Sequence, residues 1–141
     1  MSFLLDTNVL SELRKRERAD RGVRAWFELA SNEELFLSVL VLGEIRQGIE
    51  RKRRSDAAAA HSLERWLDSL IELYGERLLP IDHRVAGQWG RLNVPTPLPA
   101  IDGLIAATAL VHDLTVVTRN ARAFAGTGAK VLNPFDRRIN Q

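Results

Sequence analysis

The sequence predicts an α/β domain, a parallel twisted sheet of about five short strands covered by helices on both faces. Three observations lead there. The apolar runs are short, "FLL" (3–5), "LFLSV" (35–39), "LLPI" (78–81), "LTVV" (114–117) and "KVL" (130–132), as expected of strands buried on both faces. Longer segments of helical periodicity separate them, the pattern of repeated strand–helix–strand units. The 141 residues also contain no repeat, low-complexity linker or internal boundary, so residues 1–141 read as a single domain. A chain of that length buries roughly 70% of its unfolded surface, enough for its own core.

Taken in order, "FLL" runs directly into Asp6, which suits either an N-cap of a first helix or part of a site. Asp20 is placed to cap a second helix with Val23, Trp26, Phe27 and Ala30 on one stripe. Ser38 begins a third helix, predicted through Ile49. Residues 55–75 read as a long amphipathic helix with Ala58, Leu63, Trp66, Leu67, Leu70 and Leu73 inward and Gly75 as its stop. A helix from Asp82 to about Leu92, a proline-stiffened turn "NVPTPLPA" and a helix from Ile101 to His112 complete the series.

Composition narrows the class. Hydrophobic content of 45% with 27% charged residues is ordinary for a soluble globular protein. With no cysteine, neither disulfides nor a thiolate metal site carry the fold. The N-terminus shows no basic segment followed by a long apolar stretch, and no run approaches ~18 apolar residues, so the expectation is a cytoplasmic protein without a membrane span. The net charge of +2 does not by itself mark a nucleic-acid partner. All basic residues but Lys15, Lys52 and Lys130 are arginine, gathered in "RKRER" (14–18) and "RKRR" (51–54) and read as solvated helix ends. His61, His83 and His112 are scattered without matching partners, and no nucleophile elbow or glycine-rich phosphate loop is present.

Three acids stand where a solvent-facing acid would not. Asp6 lies at the carboxyl end of a strand, where open α/β sheets bind ligands, as do Thr118, Arg119 and Asn120 after "LTVV". Glu44 has Leu40, Val41 and Gly48 on its helix face, and Asp102 has Leu98, Pro99, Ile105 and Ala106. Capping, pairing with Arg46 and the helix dipole could each explain one of them. A single site explains all three. Carboxylates about 5 Å apart at an effective dielectric of ~20 repel by roughly 3 kcal/mol per pair, on the order of 10 kcal/mol for three pairs, comparable to a domain's stability. Such a cluster must hold protons or a cation, and all-oxygen donors select Mg²⁺ or Mn²⁺, ions that commonly run phosphoryl chemistry.

In their order, "LLDTNVLSEL", "LSVLVLGEIRQGI", "AIDGLIAATAL" and "LTVVTRNARAF" with "VLNPF" resemble the four motifs of the PIN-domain ribonucleases, specifically toxins of VapBC-type toxin–antitoxin modules and the related FitB proteins. The resemblance implies a PIN-like fold and a Mg²⁺-dependent endoribonuclease, with Mn²⁺ able to substitute. It carries over Asp6, Glu44 and Asp102 as the acidic metal site, with Asn120 at the fourth, more variable catalytic position. Thr118 would be a hydroxyl holding a ligand or water, and Asn8 a polar support for the first loop. Arg119 and Arg122 are candidates for RNA phosphate contacts. The resemblance also implies a homodimer and a VapB-type antitoxin that blocks the site, with DNA reached only through that antitoxin. Two departures, Asn120 where some relatives have an acid and Ala123 where many have Asp, bear on a second ion and leave the first-ion site intact. Two other readings remain: a PIN fold without catalysis in a DNA-binding regulatory complex, and a haloacid-dehalogenase-type phosphatase, for which "DTN" is a weak mimic and a well-placed lysine is missing.

Overall fold

Three consecutive apolar residues suit a strand covered on both sides, and Phe3–Leu5 forms β1 at the centre of the sheet. In the computed structural model, which describes residues 1–135, the chain continues as α1 (Thr7–Leu13), α2 (Arg21–Leu29), β2 (Leu35–Ser38), α3 (Val39–Arg53), α4 (Ala57–Tyr74), β3 (Leu78–Leu79), α5 (His83–Leu92), α6 (Ala100–His112), β4 (Thr115–Val117) and β5 (Val131–Leu132). Every strand pairing is parallel and the order is β3-β2-β1-β4-β5. Successive residues of a strand face opposite sides of a sheet, and Leu4 with Leu5, and Val116 with Val117, are all at most 1% exposed. Both faces of the centre are therefore covered.

The strand order contains one reversal. From β1 the chain steps outward to β2 and β3, then crosses back to lay β4 on the other flank of β1. Connections leave β1 and β4 in opposite directions, which opens a crevice beyond their carboxyl ends.

Helix starts follow the sequence closely. The Asp20 carboxylate accepts from the Gly22 and Val23 amides, Ser38 Oγ from Leu40, Asp56 from Ala59 and Asp82 from Val85. Each such cap contributes about 1 kcal/mol. Helix α6 is the exception: Pro99 precedes it and no side chain caps it.

Three expectations are corrected. Val39 belongs to α3 rather than to β2, because the Ser38 cap starts the helix there. Helix α3 runs on to Arg53, past Ile49; its last turn carries Arg51, Lys52 and Arg53, where the helix dipole favours cations. On α4 the buried residues are Ala60, Leu67, Leu70 and Tyr74, while Ala58 is exposed and Leu73 is 65% exposed. The 60–67–70–74 spacing defines one helix face, and Leu73 falls one residue off it. The stop at Gly75 is as expected: its φ of 48° lies in the region that favours glycine. Helices α3 and α4 pack together and share an ion-pair net of Arg46 and Arg53 with Glu50 and Glu64.

The core strand dictates a stability contrast. Leu5→Ala, at a position fully buried, should lower the unfolding free energy by about 2–5 kcal/mol. Leu29→Ala, at a position 89% exposed, should change it by less than about 0.5 kcal/mol. Urea denaturation of both variants checks the core assignment.

Candidate active site

Asp6 sits at the mouth of the β1/β4 crevice. Its backbone amide donates to the Val117 carbonyl at 2.9 Å, so the ladder between the two strands continues one residue beyond β1. The side chain, like the residue as a whole, is withdrawn from solvent (7% exposed) and fully engaged. Oδ1 accepts the Thr7 amide at 2.9 Å, which caps α1, and Oδ2 accepts the Thr118 hydroxyl at 2.8 Å and the Asn8 side-chain amide at 3.4 Å. The cap is thus also the acid at the end of the central strand, with its second oxygen held by Thr118 and Asn8.

Thr118 is fully buried, its amide bonded to the Leu132 carbonyl at 3.0 Å. While donating to Asp6, its hydroxyl oxygen accepts from Asn8 Nδ2 at 3.3 Å and from the Asn120 amide at 3.0 Å. In this structure the hydroxyl holds Asp6. Asn8 Oδ1 accepts the Arg119 amide at 3.0 Å, so Asn8 ties the loop after β4 to the start of α1.

Glu44, half-buried on α3, accepts the Thr7 hydroxyl on Oε1 at 2.7 Å. It does not pair with Arg46, whose guanidinium turns instead to Glu64 and Glu50. Asp102 occupies the first turn of α6 and is half-buried; among the described residues no donor reaches its carboxylate. Burial, and then the charge of Asp6, push its carboxyl above the ordinary aspartate range, which puts the two acids in each other's field across the crevice. Among the described residues no ion pair involves Asp6, Glu44 or Asp102, and no three acids or histidines stand together as a ready-made metal cage. Asn120, Arg119 and Arg122 are exposed on the rim. His61 and His83 are exposed, and His112 ends α6 about 15 Å along the helix from Asp102.

The donor set suits a hard divalent cation. It is entirely oxygen, and the Asp102 carboxylate, reached by no donor among the described residues, is disfavoured by burial and by the charge of Asp6. Two residues escaped the sequence reading. Thr7, between two flagged residues, orients Glu44. Glu12, 8% exposed, has the Asp20 amide, Lys15 and Arg119 around its carboxylate. No local signal marked it, because its helix face carries Asn8 and the groups that enclose it come from the start of α2 and the loop after β4.

The fold and these acids define a class. The model of the PIN domain matches residues 3–130, and the chain belongs to that family. Among curated proteins it is similar to Toxin FitB of Neisseria gonorrhoeae, 34% identical with 94% of this chain and 98% of that protein covered, and to VapC ribonuclease Y4jK of Sinorhizobium fredii, 33% identical with 95% and 98% covered. Among solved structures it is similar to FitAcB from Neisseria gonorrhoeae, with a TM-score of 0.86, 33% identity and 95% and 99% of the two chains covered. It is also similar to DNA-bound VapBC from Salmonella typhimurium, at 0.70 and 27% with 95% and 98% covered.

Two outcomes follow from the geometry. Thr118→Val keeps the side chain's shape but leaves Asp6 Oδ2, the Asn8 amide and the Asn120 amide without their shared partner. It should cost about 1–3 kcal/mol, and Thr118→Ser should cost less; urea denaturation measures both. The second concerns pH. A carboxyl raised in the folded protein binds more protons there than in the unfolded chain, so Asp102 subtracts stability as pH rises through that interval. The penalty is absent below the ordinary aspartate pKa of about 3.9 and fully present at neutral pH. In EDTA, Asp102→Asn should therefore resist urea better than wild type at neutral pH, with the difference closing as the solution is acidified.

Proposed function

We propose that this chain is a metal-dependent endoribonuclease and the toxin of a two-component toxin–antitoxin module, cutting RNA phosphodiester bonds at the β1/β4 crevice. The observation that carries the reading is that Asp6, at the carboxyl end of β1, and Asp102, in the first turn of α6, lie within each other's field with no cation among the described residues paired to either. A relative named a VapC ribonuclease supports the reaction class. Bound Mg²⁺ or Mn²⁺ would supply Lewis acidity and a water of lowered pKa for in-line attack at phosphorus.

The chain's own residues divide the remaining work. Asp6 and Asp102 would hold the ion, and Glu44 would reach it directly or through water and take the proton of the attacking water. Thr118 keeps Asp6 aimed into the crevice, since its hydroxyl fixes Oδ2 while the Thr7 amide fixes Oδ1. Asn120 completes the pocket as a neutral group. Arg119 and Arg122, on the exposed rim, would meet RNA phosphates.

The partner is an antitoxin. A groove of about 640 Å³ runs between α1, α2 and α4, floored by Leu10, Leu13, Trp66 and Leu73 and edged by Arg14 and Arg65. Arg14 lies over the Trp66 ring, 5.6 Å from its centre. An apolar segment bearing acidic residues fits that chemistry, and the outward turn of Leu73 belongs to it. A structural relative from Klebsiella pneumoniae is described as a toxin–antitoxin complex. DNA would be reached through the antitoxin. Among the described residues no helix is long and apolar enough to cross a membrane.

Purified protein should cut single-stranded RNA with Mg²⁺ or Mn²⁺ and stop in EDTA. Asp6→Asn and Asp102→Asn should each reduce cleavage to background and relieve growth inhibition while keeping a cooperative melting transition. Either folded variant cutting at the wild-type rate would overturn the assignment. A wild type that cuts no RNA with any divalent ion would leave the regulatory reading in its place.

A further inference from the structure

Glu12 is an acid the nuclease reading leaves without a task. Its side chain is 9% exposed, yet it lies on α1 one helical turn beyond Asn8, beside the loop that follows β4. Oε2 accepts the Asp20 amide at 2.9 Å, so the carboxylate is anchored to the start of α2. Oε1 accepts Lys15 Nζ at 3.1 Å and faces Arg119 Nη2 at 3.8 Å. The carboxylate is hidden while the two cations it gathers are open, 56% and 57% exposed.

Arg119 is held from three further directions. Its guanidinium carbon lies 4.0 Å from the centre of the Phe135 ring. Its amide donates to Asn8, and its carbonyl accepts Asn133 Nδ2 at 3.4 Å. It directly follows Thr118, the residue bonded to Asp6. An arginine stacked on a ring and paired along one edge keeps its remaining N–H groups in a fixed fork, the form in which arginine binds phosphate.

We propose that Glu12 is a positioning residue that holds Lys15 and Arg119 as a two-cation clamp for an RNA phosphate neighbouring the scissile bond. Both nitrogens stand on the same carboxylate oxygen, close enough for one phosphate group to bridge them. Burial alone would raise the Glu12 carboxyl, but the Lys15 and Asp20 hydrogen bonds and the charges of Lys15 and Arg119 outweigh it and hold it below its ordinary value. The anchor therefore stays charged at neutral pH and keeps both cations in place. Two cations around one buried anion leave a net positive charge at the rim of a crevice whose own groups are acidic. The clamp rests on the nuclease reading for its substrate, and on geometry for its parts.

The test exploits a difference in sign. Glu12→Gln keeps an oxygen for the Asp20 amide and adds a unit of positive charge to the protein. By net charge alone it should bind RNA more tightly. As a lost anchor, it should bind a fluorescein-labelled single-stranded RNA at least threefold more weakly, by fluorescence anisotropy in EDTA. Lys15→Gln and Arg119→Gln should each weaken binding roughly tenfold and flatten the log–log salt dependence by about 0.7. In the Lys15→Gln, Arg119→Gln background the Glu12→Gln effect should vanish, which a merely structural role would not produce. With Mn²⁺, the loss should appear in KM rather than kcat.

Tighter or unchanged binding by a folded Glu12→Gln overturns the clamp. So does a Glu12→Gln loss that persists in the double-variant background; an unchanged salt slope in Lys15→Gln and Arg119→Gln overturns it as well, and does so even if Glu12→Gln fails to fold. Weakened binding in the expected pattern by a protein that cuts no RNA would uphold the clamp and remove the nuclease reading. Cleavage by wild type with no effect of Glu12→Gln would do the reverse.

Discussion

The Thr118 hydroxyl donates to Asp6 Oδ2 across the boundary between β1 and β4, and much of the molecule is arranged around that bond. A buried carboxylate needs donors, since leaving one unsatisfied costs more than most single contacts return. Asp6 obtains them from the Thr7 amide, the Thr118 hydroxyl and the Asn8 side chain. The first exists because α1 begins at Thr7. The second exists because β4 lies next to β1 rather than after β3. The strand order thus supplies the partner that makes a buried acid tolerable at the crevice.

Asp102 presents the opposite condition. It faces Asp6 from the first turn of α6 with no donor among the described residues, and both burial and its neighbour disfavour its charge. Only the helix N-terminus works in its favour, because the unpaired amides of an uncapped first turn favour an anion by some tenths of a kcal/mol to about 1 kcal/mol. A cap at Pro99 would have competed for those amides. Two acids in one crevice therefore differ in kind: one is satisfied by the fold, and the other is left with free lone pairs facing its neighbour. Such a difference, rather than acidity as such, is what separates a ligand site from a structural pair.

How much of this was legible follows from the range of each interaction. The strands were legible because both-face burial leaves continuous apolar runs, and the helix starts were legible because Asp20, Ser38 and Asp82 cap their own next turn. Glu44 and Asp102 stood out by their apolar neighbours one turn away. Glu12 did not, because polar neighbours surround it, Asn8 one turn before on the helix and Lys15 and Arg16 just past its end, and its burial comes from the start of α2 and the loop after β4. For Asp6 the cap was legible and is present on one oxygen, while the Thr118 hydroxyl on the other could not be read from local sequence. On α4, Leu73 reads as core from its chemistry alone, but the face set by Ala60, Leu67, Leu70 and Tyr74 turns it into the groove. Local rules locate elements; which polar group meets which depends on topology.

Topology also sorts the charge. A net charge of +2 conceals a crevice where Asp6 and Asp102 share a field, beside a loop whose exposed side chains include Arg119 and Arg122. A phosphate held about 6 Å from one such acid at an effective dielectric of ~20 is repelled by roughly 3 kcal/mol. A polyanion would therefore avoid the crevice unless opposite charge stood beside it. The loop from Thr118 to Asn120 provides that adjacency in three residues: a buried hydroxyl fixes the acid, the next side chain carries the cation, and the third closes the turn onto the same hydroxyl. Because Asn8 bonds both Thr118 and the Arg119 amide, the backbone that carries the cation is tied to the partner of the acid. One short loop, held by one asparagine, thus links the buried carboxylate of Asp6 to the exposed side chain of Arg119.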